Sequence, residues 1–425
     1  MRKLALLFPG QGSQYVGMGK ELIERSATAR TVFAEANEVL GFDLQELIAK
    51  GSSDELMQTE NAQPALLTVS VAAFRVYMEE IGLKPAYSAG HSLGEYSALT
   101  CAGAITFQDA LLLVRRRGQL MQEAAAEGIG AMCAIIGSKG QLVEEVCKRA
   151  SSSEDEAAVV VSNYNSSEQL VISGHSLAVE RAARELESDG ANIAFLKVSA
   201  PFHSPLMKTA AVRFQEELAS YTYQPLKWPV LSNVTGKPYE SAEQIVSLLT
   251  EQLTAPVRWD TSMKFLLDQG VAVAAEMGAK QVLTKFMKTD AKSILCYPYE
   301  KAADLDMLRN ELTADKLEQE RRQATNNVVT KCLVAAICTR NRNWNTEQYE
   351  QGFITPYRRV QQMQKQLDET GAPPTEAQME EALELLKQML DTKQVPEGEQ
   401  QERFADILQQ TGTTAQFPAY LSTCV

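Results

Sequence analysis

Positive charge is in short supply: 41 Lys and Arg face 54 Asp and Glu in 425 residues, a formal charge of −13. Nucleic acid and anionic membrane surfaces select basic proteins, so neither is expected as a main partner. Long apolar runs are lacking as well. No window reaches the roughly 18 uninterrupted apolar residues of a membrane span. The run Leu4–Phe8 after Met1-Arg2-Lys3 stops at Pro9-Gly10, too short for an export signal. The cysteines (Cys101, Cys133, Cys147, Cys296, Cys332, Cys338, Cys424) are odd in number and never form a C-x-x-C pair. They read as free thiols of a reducing, cytoplasmic setting. Cys332 and Cys338 have no histidine nearby, so no metal site is expected. Histidine occurs three times, at His91, His175 and His203. That scarcity narrows the choice of any catalytic base.

What the sequence does hold is Gly90-His91-Ser92-Leu93-Gly94. The preceding Ala86–Ala89 reads as a strand end and the following Glu95–Leu99 as a helix start, the setting of a nucleophile elbow. Small residues two positions either side of the serine let neighbouring backbone pass close. A helix N-terminus there favours developing negative charge. A bare G-x-S-x-G is also compatible with an incidental glycine-rich turn; the flanking strand and helix favour the elbow. Upstream, Leu4–Phe8 reads as a buried strand running into Pro9-Gly10-Gln11-Gly12-Ser13-Gln14, a loop able to turn its amides toward a ligand or simply to connect strand to helix. Residues 19–40 and 54–80 carry helical spacing, and the second helix is expected to pack under the elbow strand.

The segment 107–127 is helical in pattern and contains Arg115, Arg116 and Arg117. Successive helical residues point about 100° apart, so the three cannot share a face. Arg117 falls on the apolar stripe with Ala110, Leu113, Val114, Met121 and Ala124. A charge there needs a partner, whether a structural salt bridge or a group in a cleft. From Gly130 the order becomes β-α-β-β-α-β: strands 131–136, 157–163, 169–173 and 193–198, helices 140–150 and 177–187. That is a ferredoxin-like small domain, inserted into an α/β fold whose patterning resumes at Trp228–Val234 and Val271–Ala275. A substrate pocket is expected between the two lobes. Of the histidines, His91 neighbours the serine but projects differently, and His175 lies in a strand-to-helix turn. His203 follows the last strand of the insertion, where Pro201 and Pro205 are expected to keep the backbone extended. A serine nucleophile would draw its base from these three.

Phe8–Gln14, Gly90–Tyr96, Arg117-Gly118, Asn163-Tyr164-Asn165, Phe202-His203-Ser204 and Glu251-Gln252-Leu253 stand in the order found in malonyl-CoA:acyl carrier protein transacylases. Over residues 1–300 the chain resembles that family, and in particular the free-standing acyltransferases that serve polyketide synthases. The resemblance implies a hydrolase-like large α/β domain with a parallel sheet (1–128 and 199–300) and a small domain (129–198). It implies Ser92 as nucleophile and His203 as base, the latter oriented by a main-chain carbonyl near Gln252 rather than by an acid. It further implies an oxyanion hole from the Gln11 and Leu93 N–H groups, Arg117 gripping the malonyl carboxylate, and Phe202 excluding an α-methyl group. Asn163 belongs with the substrate-binding set. No cofactor is implied beyond malonyl-CoA as co-substrate, and the implied partner is a phosphopantetheinylated acyl carrier protein. The stretch Glu276–Leu283 departs from the family's glycine- and proline-rich turn.

Residues 301–425 lie outside the common family core. They read as helices over 303–325, 328–339, 346–369, 375–391 and 398–410, either packing on the large lobe or forming a docking platform. Two other functions compete with malonyl transfer: a serine esterase or thioesterase, and a non-catalytic synthase scaffold. A buried arginine without an acidic triad member argues against the first. The presence of both Ser92 and His203 argues against the second.

Overall fold

The computed structural model describes residues 2–125, 130–151, 159–196, 198, 200–301, 303–312, 327–370 and 372–421. They fall into two compact units, residues 2–310 and residues from 311 onward. The strands, all in the first unit, are β1 (Lys3–Phe8), β2 (Tyr87–Gly90), β3 (Gly130–Ile136), β4 (Val159–Ser166), β5 (Gln169–His175), β6 (Asn192–Phe195), β7 (Val230–Leu231), β8 (Val271–Glu276) and β9 (Leu295–Pro298). The helices that position the site are α1 (Thr59–Glu80), α2 (Leu93–Cys101) and α3 (Phe107–Ala125). No helix among the described residues is long and apolar enough to cross a membrane.

The large sheet runs β7-β2-β1-β8-β9, every pair parallel. Parallel strands bury both faces, which is why β1 reads Leu-Ala-Leu-Leu-Phe without alternation and is buried from Leu4 onward. The β1–β2 register sets Phe8 opposite Gly90. Both strands therefore deliver their following loops, Pro9–Gln14 and the Ser92 turn, to one edge at the carboxyl ends, where α/β sheets place ligands. Helix α1 packs against α2 and α3. It begins at Thr59 after a separate turn of helix, Ser53–Met57, because Gln58 between them, at φ −54° and ψ 129°, is not helical.

The turn works only with glycine on either side. A Cβ on Gly90 would lie 1.9 Å from the Gly94 carbonyl carbon, and one on Gly94 would lie 2.0 Å from the Phe8 carbonyl oxygen. Between them Ser92 takes φ 52°, ψ −106°, a conformation side chains rarely adopt.

The second sheet runs β4-β5-β3-β6, all antiparallel. With helices at Gly140–Ala150 and Ser176–Ser188 it has the ferredoxin-like order and a core of its own, including Ile135, Val143, Ile172 and Val179. Two strands end three residues from the expected place, and β5 runs two residues past it to His175. β4 reaches Ser166 through register shifts after Val161 and Tyr164. β6 ends at Phe195, and Leu196 and Val198 line a cleft instead. Residues 157 and 158 of the expected strand lie outside the described residues.

The second unit holds helices Val328–Cys338, Thr355–Thr370, Glu376–Thr392 and Glu397–Thr411 around a core that includes Val360, Leu386 and Phe404. The expected helix 346–369 is interrupted by a π-helical turn at Glu350–Ile354. Pro356 has no N–H to return to Gly352, so the ladder must widen there. Of the expected helix 303–325, residues 303–312 are helical; the remainder and Cys424 lie outside the described residues.

Gly94→Ala should cost about 2 kcal/mol or more, the scale of overpacking against backbone that cannot move aside. Urea unfolding of the full chain checks this; an unchanged midpoint would mean that Phe8 and α2 do not press together.

Candidate active site

The two loops at the sheet edge and the small sheet enclose a cleft of about 820 Å³. Gln11, Ser92, Asn163, Phe202 and His203 line it, together with His91, Met132 and Phe286. Arg117, Leu93 and Gln252 lie beneath its floor, each 1% exposed. The site residues therefore divide into a lining and a buried support.

Ser92 Oγ lies 2.8 Å from His203 Nε2. On the other side of the ring, Nδ1 lies 2.7 Å from the Gln252 main-chain oxygen. A carbonyl oxygen only accepts, so Nδ1 carries the proton and Nε2 is free to take one from Ser92. His203 is not extended as its flanking prolines suggested: it sits at φ 56°, while Ser204, the residue before Pro205, takes the extended conformation. Burial and the nearby Arg117 charge push the His203 pKa down to about 3. The ring is thus neutral and competent as a base.

Arg117 gives the site its charge. Its neighbours on α3 are paired, Arg115 with Glu60 at 3.8 Å and Arg116 with Glu123 at 3.7 Å. Arg117 instead donates from Nη1 to Gln63 Oε1 (2.9 Å), and from Nη2 to Gln252 Oε1 (3.0 Å) and Ser92 Oγ (3.2 Å). Its guanidinium carbon lies 5.2 Å from the centre of the Tyr96 ring. Among the described residues no carboxylate is within ion-pair distance of it, so the structural salt bridge considered for this position is absent.

The turn is held from outside. Asn233, just past β7, accepts from the Ser92 N–H through Oδ1 (2.6 Å) and donates from Nδ2 to the Gly90 carbonyl (2.6 Å). Behind it Glu95, fully buried on the first turn of α2, accepts from Gln252 Nε2 (2.6 Å), the Asn233 N–H (3.1 Å) and the Tyr239 hydroxyl. Burial pushes the Glu95 pKa up to about 7 against these hydrogen bonds. Among the described residues neither the Gln11 nor the Leu93 backbone N–H has an acceptor. His91 turns away from Ser92 to Asn165 Oδ1 (2.8 Å). His175 ends β5 ahead of a helix and makes no side-chain cap.

Sequence reasoning missed Gln63, Asn233, Glu95 and Tyr239. Asn233 had a signal, since a polar residue just past a strand beside the elbow strand falls at the carboxyl edge where sites form. Glu95 had a weaker one, standing three residues after the serine, where first-turn acids usually serve the helix dipole. The departing stretch at Glu276 also has a structural explanation: its carboxylate accepts from the Leu283 and Thr284 N–H groups (3.0 and 2.7 Å), capping the helix Val282–Asp290.

A family model described as the acyl transferase domain matches residues 5–333. A malonyl CoA-acyl carrier protein transacylase of Bacillus subtilis is 40% identical over 390 residues, covering 91% of this chain and 95% of the relative. The protein so named in Escherichia coli K12 is 44% identical over 312 residues, covering 72% of this chain and all of the relative. Among solved structures, a malonyl-transacylase in complex with its type II PKS acyl-carrier protein superposes with TM-score 0.70 at 41% identity, covering 73% of this chain and 99% of that one.

The depressed His203 has a spectroscopic consequence. The unfolded ring takes a proton near its ordinary 6.5 and the folded ring only near 3. Between those values the unfolded state binds more protons, so His203 weakens the fold as pH falls through that window. With three histidines to assign, NMR should show His203 unmoved from pH 8 to pH 5; an inflection near 6.5 would put the ring in water.

Proposed function

The chain belongs to the acyl transferase domain family, and from that premise we propose that it moves a malonyl group from malonyl-CoA, through a seryl ester on Ser92, to the phosphopantetheine thiol of an acyl carrier protein. One observation carries the choice of acyl group: a guanidinium buried against the nucleophile with amide and hydroxyl partners and, among the described residues, no carboxylate. A carboxylated acyl chain supplies the missing anion in a geometry that a planar fork suits.

Ser92 Oγ attacks the thioester carbon as His203 Nε2 takes its proton. The oxyanion forms at the Gln11 and Leu93 N–H groups, a contribution of roughly 10²–10³ in rate per donor. The C–S bond then breaks and the histidine proton passes to the CoA sulfur. In the second half His203 takes the proton of the carrier thiol, the thiolate attacks the seryl ester, and Ser92 recovers its hydrogen. Arg117 links binding to basicity: its charge is among the causes that hold His203 down. A carboxylate settling on Arg117 offsets that charge, so the base strengthens when the charged acyl group is in place.

Phe202 and Asn163 line the same cleft, and the resemblance gives Phe202 the part of excluding an α-methyl group. The mechanism calls on no cofactor beyond the co-substrate. Six described cysteines are free thiols, in keeping with a cytoplasmic enzyme acting on carriers of fatty acid or polyketide assembly. An esterase acting on neutral substrates has no use for the buried guanidinium, and a scaffold has none for a serine and histidine in hydrogen-bond contact.

Incubation with malonyl-CoA should add one malonyl group, seen by intact mass and lost in Ser92→Ala, and a phosphopantetheinylated carrier protein should remove it. Arg117→Ala should lower malonyl transfer about 10²-fold more than acetyl transfer, in line with losing one member of a buried charge pair. Parallel losses for the two acyl groups would remove the carboxylate clamp.

A further inference from the structure

Two side chains tie the reacting groups together, and both are held by a third. Gln252 offers its main-chain oxygen to His203, its side-chain oxygen to Arg117 and its side-chain nitrogen to the Ser92 carbonyl (3.1 Å) and Glu95. Asn233 brackets the turn by gripping the Ser92 N–H and the Gly90 carbonyl. Glu95 Oε2 accepts from both residues, and its other oxygen accepts from Tyr239.

The chemistry of the donors fixes the order of this chain. A guanidinium only donates, so Gln252 must face Arg117 with its oxygen, and its nitrogen must then meet an acceptor. A carboxylate is the group that accepts from three donors at once. The result is a cation and an anion separated by one amide, with the amide aligned along the line between them. Were Glu95 to contact Arg117 directly, the guanidinium would be spent on an internal partner. At one amide's remove it is held and still lacks a carboxylate.

We propose that Glu95 is a positioning residue for this transfer: through Asn233 and Gln252 it holds the nucleophile, the base and the carboxylate-binding guanidinium in one register. The inference rests on the reading that Arg117 receives the malonyl carboxylate. Glu95 touches neither substrate nor the reacting atoms. Its effect reaches the elbow through Asn233, and the base and the guanidinium through Gln252. The bland alternative is a buried acid that only stabilises the first turn of α2, and such an acid has no reason to distinguish one acyl group from another.

The test measures transfer of malonyl and acetyl groups from their CoA esters to a carrier protein at pH 8, with melting temperatures for each variant. Glu95→Ala should lower malonyl transfer at least 10²-fold and the malonyl-to-acetyl ratio at least 10-fold. Glu95→Gln can keep an oxygen toward Gln252 and Asn233 by aiming its nitrogen at the Tyr239 oxygen, and should recover at least 10-fold of the lost malonyl transfer. In an Arg117→Ala background Glu95→Ala should leave the ratio where Arg117→Ala alone puts it, because the two changes act through one contact chain. Should Glu95→Ala not fold, Glu95→Asp, whose carboxylate stops one methylene short of Gln252, takes its place with the same expectations. Equal losses for both acyl groups, or additive losses in the double variant, overturn the proposal. If Arg117→Ala itself leaves the ratio unchanged, the clamp reading fails and this inference with it; if that ratio moves and the Glu95 variants leave it alone, only this inference fails.

Discussion

A guanidinium sealed from water without a carboxylate beside it is the constraint on which this site is built. Taking such a charge out of water costs several kcal/mol even after relaxation. Here the cost is met by two amide oxygens, a hydroxyl and the face of Tyr96, with Glu95 acting from one amide away. Each partner also constrains something else. Gln63 is on α1, Ser92 on the elbow, and Gln252 on the segment that orients His203. The position of Arg117 therefore fixes the relation between three elements far apart in sequence, and any rearrangement of one strands a buried charge.

The same charge explains the state of the histidine. In a triad with an acid, the carboxylate raises the basicity of the ring and holds its tautomer. Here the tautomer is held by a carbonyl, which carries no full charge, while a cation stands on the nucleophile's side. The resting ring is neutral and weakly basic. Under the transfer proposed above, that weakness belongs to the empty site: a carboxylate offsetting the Arg117 charge strengthens the base, which couples the base to the acyl group it is meant to serve.

How much of this was readable in advance follows from the kind of interaction involved. Periodicity found the buried strand β1, the small domain's β-α-β-β-α-β order and the place of Arg117 on an apolar stripe, because burial imposes spacing. Local motif found the elbow, because glycine at positions 90 and 94 is demanded by backbone approaches near 2 Å. Spacing says nothing of partners contributed singly from distant parts of the chain, so Gln63 on α1 and Tyr239 past β7 were invisible, and Asn233 was signalled only by its place just past a strand. Gln252 shows the limit most clearly. The resemblance pointed to its main-chain oxygen, a group every residue has, whereas its side chain carries the two bonds that connect Arg117 to Glu95. The two strand ends misplaced by three residues, at 163 and 198, both lie where β4 and β6 meet the cleft, and there the ladder gives way to the site.

A second buried cation in the chain shows that burial alone does not mark a binding group. Lys393, 3% exposed, donates to the carbonyls of Ala336 (2.6 Å) and Thr339 (2.8 Å) at the end of helix Val328–Cys338, and lies 4.4 Å from the centre of the Phe353 ring. Burial lowers its pKa, as it does that of Arg117. The difference is in the acceptors. Helix-end carbonyls are orphans that any such helix must satisfy, and a cation at the negative end of the dipole completes that helix. Arg117 terminates no helix and satisfies no orphan carbonyl; its acceptors are side chains and the nucleophile itself. The charge at 393 finishes a fold, whereas the charge at 117 is held by groups that the fold arranges around a reacting oxygen, which is the physical ground for reading one as structure and the other as chemistry.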